Sequence, residues 1–344
     1  MGLDRNYLFE SAQVLAARED IPWDSFCAKK IVITGSTGLI GSQLVRVFLA
    51  RNDYFHACNQ LILPVRNISK AAYMFGNRSE LSFIEWNLDS SKLNIGSCDF
   101  FIHAACGTSS KNFLENPVST ILSIANGGKV TLQSALDAGA TKYLFLSTME
   151  IYGEVSGITA EADLGCLDPM IVRNSYPEAK RLVECLCSSY CSEYELPTVV
   201  LRLAQTFGQG VPFEDSRVFA EFGRHAVRGE DIILFSDGTS KSVYLSVDDA
   251  ICAILFGLAY GEPGNAYNAG NDSTYCTIKE MAEMVLREFG VREATIKQKI
   301  DKYREATFRK SADLHLDCSK LIKLGWTPKD DLVSMYQSMI DSWS

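Results

Sequence analysis

Tyr176 and Lys180 lie four residues apart in "SYPEAK", a spacing that places both side chains on one face of a helix. A lysine ammonium beside a phenol favours the phenolate, so the pair is expected to lower the pKa of the tyrosine and make it a usable base. The same spacing occurs again at Tyr275 and Lys279. Only Tyr176 follows a predicted strand that ends on Thr148, so we predict that Thr148, Tyr176 and Lys180 form the reactive group.

An acid, Glu150, stands in "LSTMEIYG", at the end of a strand that otherwise has the apolar sequence of a buried one. Such a carboxylate either lies beside a bound substrate and moves protons, or is satisfied structurally by backbone amides or an arginine. We predict the first of these roles for Glu150.

Three glycines follow the first predicted strand at the spacing G-x-x-G-x-x-G and open the first long helix of the sheet region. Glycine is required where a backbone turns sharply against a pyrophosphate, and the N–H groups of a helix N-terminus bind the anion. A tight strand-to-helix turn without a ligand has the same spacing. The strand-loop-helix context favours a dinucleotide loop, with predicted contacts at Gly35, Thr37, Gly38, Leu39, Ile40 and Gly41.

The second predicted strand ends in "PVRN", with Arg66 where an acid would bind the ribose 2′-hydroxyl of NAD. Arg66, together with Lys70, is suited to a 2′-phosphate. The predicted cofactor is therefore NAD(P), with a slight preference for NADP over NAD. The alternative is a solvated arginine beside an adenine ring. The remaining predicted cofactor contacts are Asn87, Leu88, Ala104, Ala105, Tyr176 and Lys180.

The composition is that of an acidic globular chain. Its 344 residues are 47% hydrophobic and carry a formal net charge of −9. We find no basic stripe of the kind that binds nucleic acid, and the longest apolar run, from Ala250, is too short for a membrane span. The N-terminus lacks the pattern of a secretory signal, and eleven scattered cysteines fit free thiols in a reducing compartment. We expect a cytoplasmic protein that binds neither nucleic acid nor membrane.

No metal is expected. Cys185 and Cys187 point to opposite sides of a predicted helix, and the four histidines have no ligand spacing. Free cysteine is commonly a small core residue.

Short apolar strands alternate with amphipathic helices from residue 30 to about 204. This alternation implies parallel strands joined by helical crossovers, hence an α/β Rossmann-type doubly wound parallel sheet. Later elements are less regular and predict a smaller α/β C-terminal lobe. The predicted divisions are a helical N-terminal extension at 1–28, an NAD(P)-binding Rossmann domain at 29–208, and a lobe at 209–344 from which the chain can cross back to the sheet.

Seven motifs in register resemble the extended short-chain dehydrogenase/reductase family that acts on nucleotide sugars. They are the glycine loop, "DFFIHAAC", "LSTMEIYG", "YPEAK", "LRLAQTFG", "YLSVDDA" and "DCSKLIKLGWTP". The resemblance implies a nucleotide-diphosphate sugar as substrate and a tightly held nicotinamide. It implies that the C-terminal lobe, 209–344, is mainly the substrate lobe that binds the sugar nucleotide. It also implies that Tyr176 takes a proton from a sugar hydroxyl, that Thr148 steadies this hydroxyl, and that Lys180 holds the nicotinamide ribose.

The segment "STMEIYG" is most similar to the branch of dTDP-glucose 4,6-dehydratases and UDP-glucuronate decarboxylases, which implies that Glu150 handles protons at C5 or C6 of a 4-keto sugar. Met149 departs from the dehydratase pattern, which has an aspartate there to protonate the leaving hydroxyl, and Ser242 departs from the decarboxylase pattern, which has an arginine. Gln205 replaces a common asparagine and predicts a reshaped substrate pocket. Arg309 either meets the diphosphate or belongs to a solvated charge cluster; with Gln205 and Ser242 it completes the predicted substrate contacts.

These observations predict an enzyme that oxidises a nucleotide-linked hexose or hexuronate at C4 and uses the ketone for one further step. A lyase outcome, by decarboxylation or elimination, is preferred, and a 4-epimerase or an NADPH-dependent ketosugar reductase is the alternative. A non-catalytic protein that binds NAD(P) or a sugar nucleotide would not need Thr148, Tyr176 and Lys180 together. The resemblance also implies a homodimer formed by the helices near 117–138 and 175–194.

Overall fold

The computed structural model describes residues 1–107, 110–291, 293–300 and 313–343, and of residues 110–112 the backbone alone. The helices are α1 Arg5–Ala16, α2 Leu39–Phe55, α3 Ile68–Phe75, α4 Ser110–Glu115, α5 Pro117–Asp137, α6 Ser175–Tyr194, α7 Val218–Arg228, α8 Val247–Tyr260, α9 Ile278–Phe289, α10 Ser319–Ile322 and α11 Leu332–Asp341. The strands are β1 Lys30–Thr34, β2 Gln60–Val65, β3 Leu81–Glu85, β4 Phe100–His103, β5 Lys142–Thr148, β6 Ile158–Thr159, β7 Thr198–Leu203, β8 Gln205–Phe207, β9 Ile232–Leu234, β10 Lys241–Ser246, β11 Asn265–Ala269, β12 Asn271–Thr277, β13 Ile296–Gln298 and β14 Asp313–Leu316.

The central sheet has seven strands in the order β11-β7-β5-β4-β1-β2-β3, and every neighbouring pair is parallel. Strands covered on both faces need continuous apolar runs, which β1 and β7 have: nearly all of their residues are buried. The predicted doubly wound parallel sheet is therefore confirmed. The strand order reverses between β4 and β1, and ligands of such sheets bind in the crevice beyond the strand ends at that point.

Helices α5 and α6 pack on one face of the sheet with almost no space between them. A Cβ atom placed on Gly128 of α5 would lie 2.6 Å from Cγ2 of Val183 on α6, so glycine is needed for this close approach. Val183 is fully buried in the same cluster as Tyr176 and Phe113. This packing fixes α6, which carries Tyr176 and Lys180, against the sheet.

Helix α1 belongs to the predicted N-terminal extension and packs on α2. Asp4 caps α1 by accepting hydrogen bonds from the backbone N–H groups of Asn6 and Tyr7, at 2.8 and 3.2 Å. The Gln43 side chain of α2 donates to the carbonyl of Leu8 at 3.1 Å, which ties the two helices together. The extension thereby covers the helix that begins at the glycine loop.

A second sheet has the order β12-β10-β14-β6, with β8 paired to β10. Strand β8 precedes residue 209 yet joins this sheet, whereas β11 follows residue 209 and joins the central sheet beside β7. The two sheets thus exchange strands across the predicted domain boundary at 208/209. The division of the chain into domains at that boundary stays a prediction.

In the part of the chain that the structure describes, no helix has the length and hydrophobicity needed to cross a membrane. The eleven cysteines are free, with Cys185 exposed and Cys187 buried.

Candidate active site

The glycine loop lies where the strand order reverses, between the ends of β1 and β4. Gly35 has a φ of +71°, and a Cβ atom there would lie 2.7 Å from the backbone of Ala104 and of Ala105. A Cβ on Gly41 would collide with the carbonyl oxygen of Gly35. The loop is thus backbone packed on backbone, and its N–H groups lead into α2, a geometry that fits the pyrophosphate of a dinucleotide.

The other predicted cofactor contacts lie around the same crevice. The backbone N–H of Ala105 donates to the Thr34 hydroxyl at 3.3 Å, just after β4. Asn87 and Leu88 follow β3, and the Leu88 carbonyl accepts a hydrogen bond of 2.6 Å from the Asn126 side chain of α5. Thr37, Leu39 and Ile40 belong to the loop or to the first turn of α2. These residues lie at the carboxyl edge of the sheet, where a dinucleotide would extend.

Arg66 is exposed directly after the last residue of β2, while Val65 before it is buried. If Arg66 meets a 2′-phosphate, Arg66→Ala should weaken NADP binding ~10-fold, the scale of one hydrogen bond to a charged group, and change NAD binding little. Titration of both dinucleotides by calorimetry measures this difference. An equal effect on NADP and NAD would make Arg66 a bystander.

Tyr176 and Lys180 lie in the first half of α6, with 7% and 4% of their surface exposed. The Lys180 ammonium donates to the carbonyl of Leu146 on β5 at 2.7 Å and lies 5.9 Å from the centre of the Tyr176 ring. It also lies 4.5 Å from the ring centre of Phe145. The lysine is therefore held against the end of β5, within reach of the tyrosine but not bonded to it.

Burial raises the pKa of Tyr176 well above its ordinary value, and the Cys106 thiol and the Glu150 carboxylate add to the increase. A hydrogen bond with the Thr148 hydroxyl and the positive charge of Arg173 act in the opposite direction. The net direction is the reverse of the lowering predicted from the Tyr176–Lys180 spacing. That prediction was wrong because spacing along a helix does not report how deeply the phenol is buried.

Tyr275 and Lys279 do not form a comparable pair. Tyr275 is in β12, and its hydroxyl donates to the carboxylate of Asp313. Lys279 is in α9 and lies 3.9 Å from the exposed carboxylate of Glu283. The tyrosine ring also stacks on His315, with 4.4 Å between ring centres. Tyr275 and Lys279 thus have different partners and do not form a pair with each other.

Glu150 lies in a 3₁₀ helix, Met149–Tyr152, that begins directly after β5. The Thr148 hydroxyl accepts a hydrogen bond of 3.2 Å from the backbone N–H of Glu150, which caps this short helix. Arg173 Nη2 lies 2.9 Å from Glu150 Oε2, and that buried oxygen accepts no aligned hydrogen bond. Pairing with an arginine is the structural alternative for Glu150, so the ion pair is compatible with either role.

The two positions that depart from the related branch meet each other. The Ser242 hydroxyl lies 3.8 Å from the sulfur of Met149. Gln205 is half-buried in β8, and its partner across the parallel pair is Tyr244 of β10. Arg309 lies outside the described residues. The structure thus brings Ser242 to the end of β5, in contact with Met149, the residue that precedes Glu150 in the chain.

Sequence reasoning missed Phe113 and Arg173. The Phe113 ring stacks on the Tyr176 ring, with 4.3 Å between centres and 7° between planes, and the Arg173 guanidinium lies 5.4 Å from the centre of Phe113. Arg173 stands three residues before Tyr176 in the sequence. This spacing puts a charge near the candidate base, so it could have identified Arg173 as a site residue. Phe113 lies in a separate helix, α4, and no local pattern points to it.

A buried ion pair between β7 and α6 stabilises the end of β5. Arg202 of β7 lies 2.7 Å from Glu184 of α6 and donates at 3.0 Å to the hydroxyl of Tyr152. The Ser147 hydroxyl donates to the same Glu184 carboxylate. Because Glu184 is one helical turn beyond Lys180, this network fixes α6 relative to Thr148 and its neighbours.

Within the described residues, no group of three or more His, Cys, Asp or Glu side chains is arranged to hold a metal ion. The candidate site brings together a phenol, hydroxyls, a carboxylate and two cations.

Solved structures with this fold include nucleotide-sugar enzymes. The dTDP-glucose 4,6-dehydratase DesIV from Streptomyces venezuelae, solved with NAD, superposes with a TM-score of 0.78 at 22% identity, covering 91% of this chain and 96% of that chain. The UDP-glucuronic acid 4-epimerase from Bacillus cereus, in complex with UDP-glucuronic acid and NAD, has a TM-score of 0.75 at 20% identity, covering 91% and 98%. At these identities the similarity establishes the fold.

Among curated proteins, UDP-glucuronic acid decarboxylase 4 from Arabidopsis thaliana is 27% identical over 307 residues, which cover 87% of this chain. The chain spans 65% of the length of that relative. The low-salt glycan biosynthesis protein Agl12 from Haloferax volcanii is 25% identical over 315 residues, covering 90% of this chain and 97% of the relative. The profile of one family matches residues 31–270, from β1 to the end of β11. This match spans well over half of the chain and shows that the protein belongs to the NAD dependent epimerase/dehydratase family.

Proposed function

We propose that the protein is a nucleotide-sugar lyase that oxidises its substrate at C4 and then removes the C6 carboxylate of a hexuronate. The observation that carries the proposal is the convergence of Thr148, Glu150, Tyr176 and Lys180 on the end of β5. The glycine loop lies at the adjoining switch point of the sheet. The similarity to UDP-glucuronic acid decarboxylases supports the choice of substrate class.

The first step is removal of the proton from the C4 hydroxyl. A bound nicotinamide would supply the two-electron acceptor for the C4 carbon. Tyr176 accepts the hydroxyl proton, Thr148 hydrogen-bonds the same oxygen, and Lys180 stabilises the phenolate and the ribose of the cofactor. Burial raises the pKa of the Tyr176 phenol, so the phenol can act as a base only where positive charge favours the phenolate. Lys180 supplies one such charge, and a bound nicotinamide would supply another.

The second step uses the ketone. A carboxylate attached to C5 lies β to a C4 ketone, so the C5–C6 bond can break with its electrons moving toward the ketone oxygen, and carbon dioxide leaves. C5 then takes up a proton. Glu150 is positioned to manage this proton, and Arg173 holds its carboxylate. The C4 ketone would be reduced again by the hydride that a bound nicotinamide had accepted, with Tyr176 returning the proton to the C4 oxygen.

Decarboxylation is preferred over dehydration because of Met149. Loss of a C6 hydroxyl as water needs a proton donor, which a thioether is not. Carbon dioxide leaves without being protonated. The alternative is 4-epimerisation, an activity found on the same fold in the UDP-glucuronic acid 4-epimerase of Bacillus cereus. A ketosugar reductase would consume NADPH with turnover, and a non-catalytic binding protein would leave every sugar unchanged.

The test is incubation of the purified protein with UDP-, dTDP-, GDP- and CDP-linked hexoses and hexuronates, with and without added NAD or NADP. The proposal expects one or more hexuronates to lose carbon dioxide without net consumption of cofactor, as read by mass spectrometry and NMR. Turnover of neutral hexoses alone, or net oxidation of NADPH, would contradict it.

We also propose a homodimer through α5 and α6, as the resemblance implies. Leu122 of α5 is 61% exposed and Leu182 of α6 is 47% exposed, so an apolar surface is available on both helices.

Leu122→Glu should convert a dimer into a monomer, because a charge buried in an interface is unpaired. Light scattering at micromolar concentration measures the mass. Val14→Glu on α1, where Val14 is 73% exposed, is the matched control and should leave the dimer intact. A monomeric wild-type protein would rule the dimer out.

A further inference from the structure

Arg173 brings a cation to the acid at the end of β5. Its side chain is 11% exposed, its Nη2 atom lies 2.9 Å from Glu150 Oε2, and its guanidinium lies 5.4 Å from the centre of the Phe113 ring. Phe113 in turn covers the ring of Tyr176. One guanidinium therefore contacts the candidate proton-handling acid and lies one aromatic ring away from the candidate base.

The strand position where the related branch carries an arginine has no charge. Ser242 faces the sulfur of Met149 at 3.8 Å and hydrogen-bonds the carbonyl of Val243 at 3.3 Å. Lys241 is next to it, but its ammonium lies over the ring of Tyr275, with 5.5 Å to the centre, on the other face of β10. Ser242 therefore places a neutral hydroxyl, and no charge, next to Met149.

A hexuronate brings a second carboxylate close to Glu150. Two carboxylates that share a site repel each other, and one of them takes up a proton unless a cation compensates both. A guanidinium has five N–H donors in a planar fork and can pair with two carboxylates at once. Arg173 Nη2 lies 2.9 Å from Glu150 Oε2, so a sugar carboxylate that approaches Glu150 also approaches the guanidinium.

We propose that Arg173 binds the C6 carboxylate of the sugar together with Glu150, and so selects hexuronates over neutral hexoses in place of a cation at Ser242. This assignment rests on the proposed function and names the residue that sets its substrate class. The cation reaches the substrate from the 3₁₀ helix Val172–Asn174 that precedes α6, rather than from β10.

The test compares binding of UDP-glucuronate and UDP-glucose by calorimetry, using the 344-residue chain loaded with NAD and carrying Tyr176→Phe to slow consumption of the ligand. Arg173→Met keeps an unbranched side chain against Phe113 and removes the charge. We expect it to weaken UDP-glucuronate at least ~30-fold, the scale of losing one partner of a buried charge pair, and UDP-glucose less than ~3-fold. Arg173→Lys should keep part of the preference for the hexuronate.

Arg78→Met is the matched control, because Arg78 pairs with Asp53 and Glu80 at the opposite end of the sheet. It should leave both affinities unchanged. Melting temperatures identify any variant that has lost its fold. Equal weakening of both ligands by Arg173→Met would mean that Arg173 only supports Phe113 and would overturn the assignment, as would an unchanged preference.

The two proposals fail in different ways. If the wild-type protein decarboxylates a hexuronate while Arg173→Met keeps the preference for it, only the role of Arg173 is wrong. If the wild-type protein shows no preference for UDP-glucuronate and does not convert it, the proposed function fails first.

Discussion

Replacing Tyr176 with phenylalanine is expected to lower turnover at least ~100-fold, the usual contribution of a positioned acid or base. The phenol hydroxyl is the group removed, whereas the ring keeps its stacking on Phe113, so the fold should stay intact. Steady-state kinetics with the converted sugar measures the loss, and circular dichroism with a melting curve checks the fold.

Tyr275→Phe is the control for this prediction, because Tyr275 belongs to the second copy of the Tyr-x-x-x-Lys spacing. It loses the hydrogen bond to Asp313 and is expected to change turnover little. A large loss from Tyr275→Phe together with none from Tyr176→Phe would show that the reactive pair has been chosen wrongly.

Glu150→Gln is expected to separate the two chemical steps. If Glu150 handles protons only after the C4 ketone has formed, the variant should still oxidise the sugar and then stall. The absorbance of the reduced nicotinamide should then rise on mixing with substrate, because the slow step lies after oxidation. Stopped-flow absorbance with product analysis measures both steps in one experiment.

Other roles of Glu150 give other results. If the pair with Arg173 is only structural, the variant should lose stability, or should slow oxidation and product formation equally. A 4-epimerase needs no proton chemistry at C5, so its Glu150→Gln variant would interconvert C4 stereoisomers near the wild-type rate. That last result would change the assignment from lyase to isomerase.

The central sheet was predictable because its strands are short apolar runs separated by long helices, a local pattern that implies parallel crossovers. The second sheet was much harder to predict. Strand β6 has two residues, Ile158–Thr159, and it pairs with β14 more than 150 positions later in the chain. Such a short strand has no periodicity of its own, so tertiary pairing decides it.

The site was predictable where one segment carries the information. Gly35 and Gly41 lie in one loop, and Tyr176 and Lys180 lie on one helix. Contacts between segments were not predictable: the stacking of Phe113 on Tyr176 depends on the packing of α4, and the raised pKa of Tyr176 depends on burial by several elements.

The central claim is that a hexuronate loses its C6 carboxylate through a 4-keto intermediate. The most direct test is turnover of UDP-glucuronate by the wild-type protein in D₂O, with the product examined by mass spectrometry and NMR. The account predicts a UDP-pentose that lacks one carbon dioxide and carries one deuterium at C5, because C5 takes up a solvent proton after the bond breaks. A product of unchanged composition, inverted at C4 and free of deuterium at C5, would contradict it.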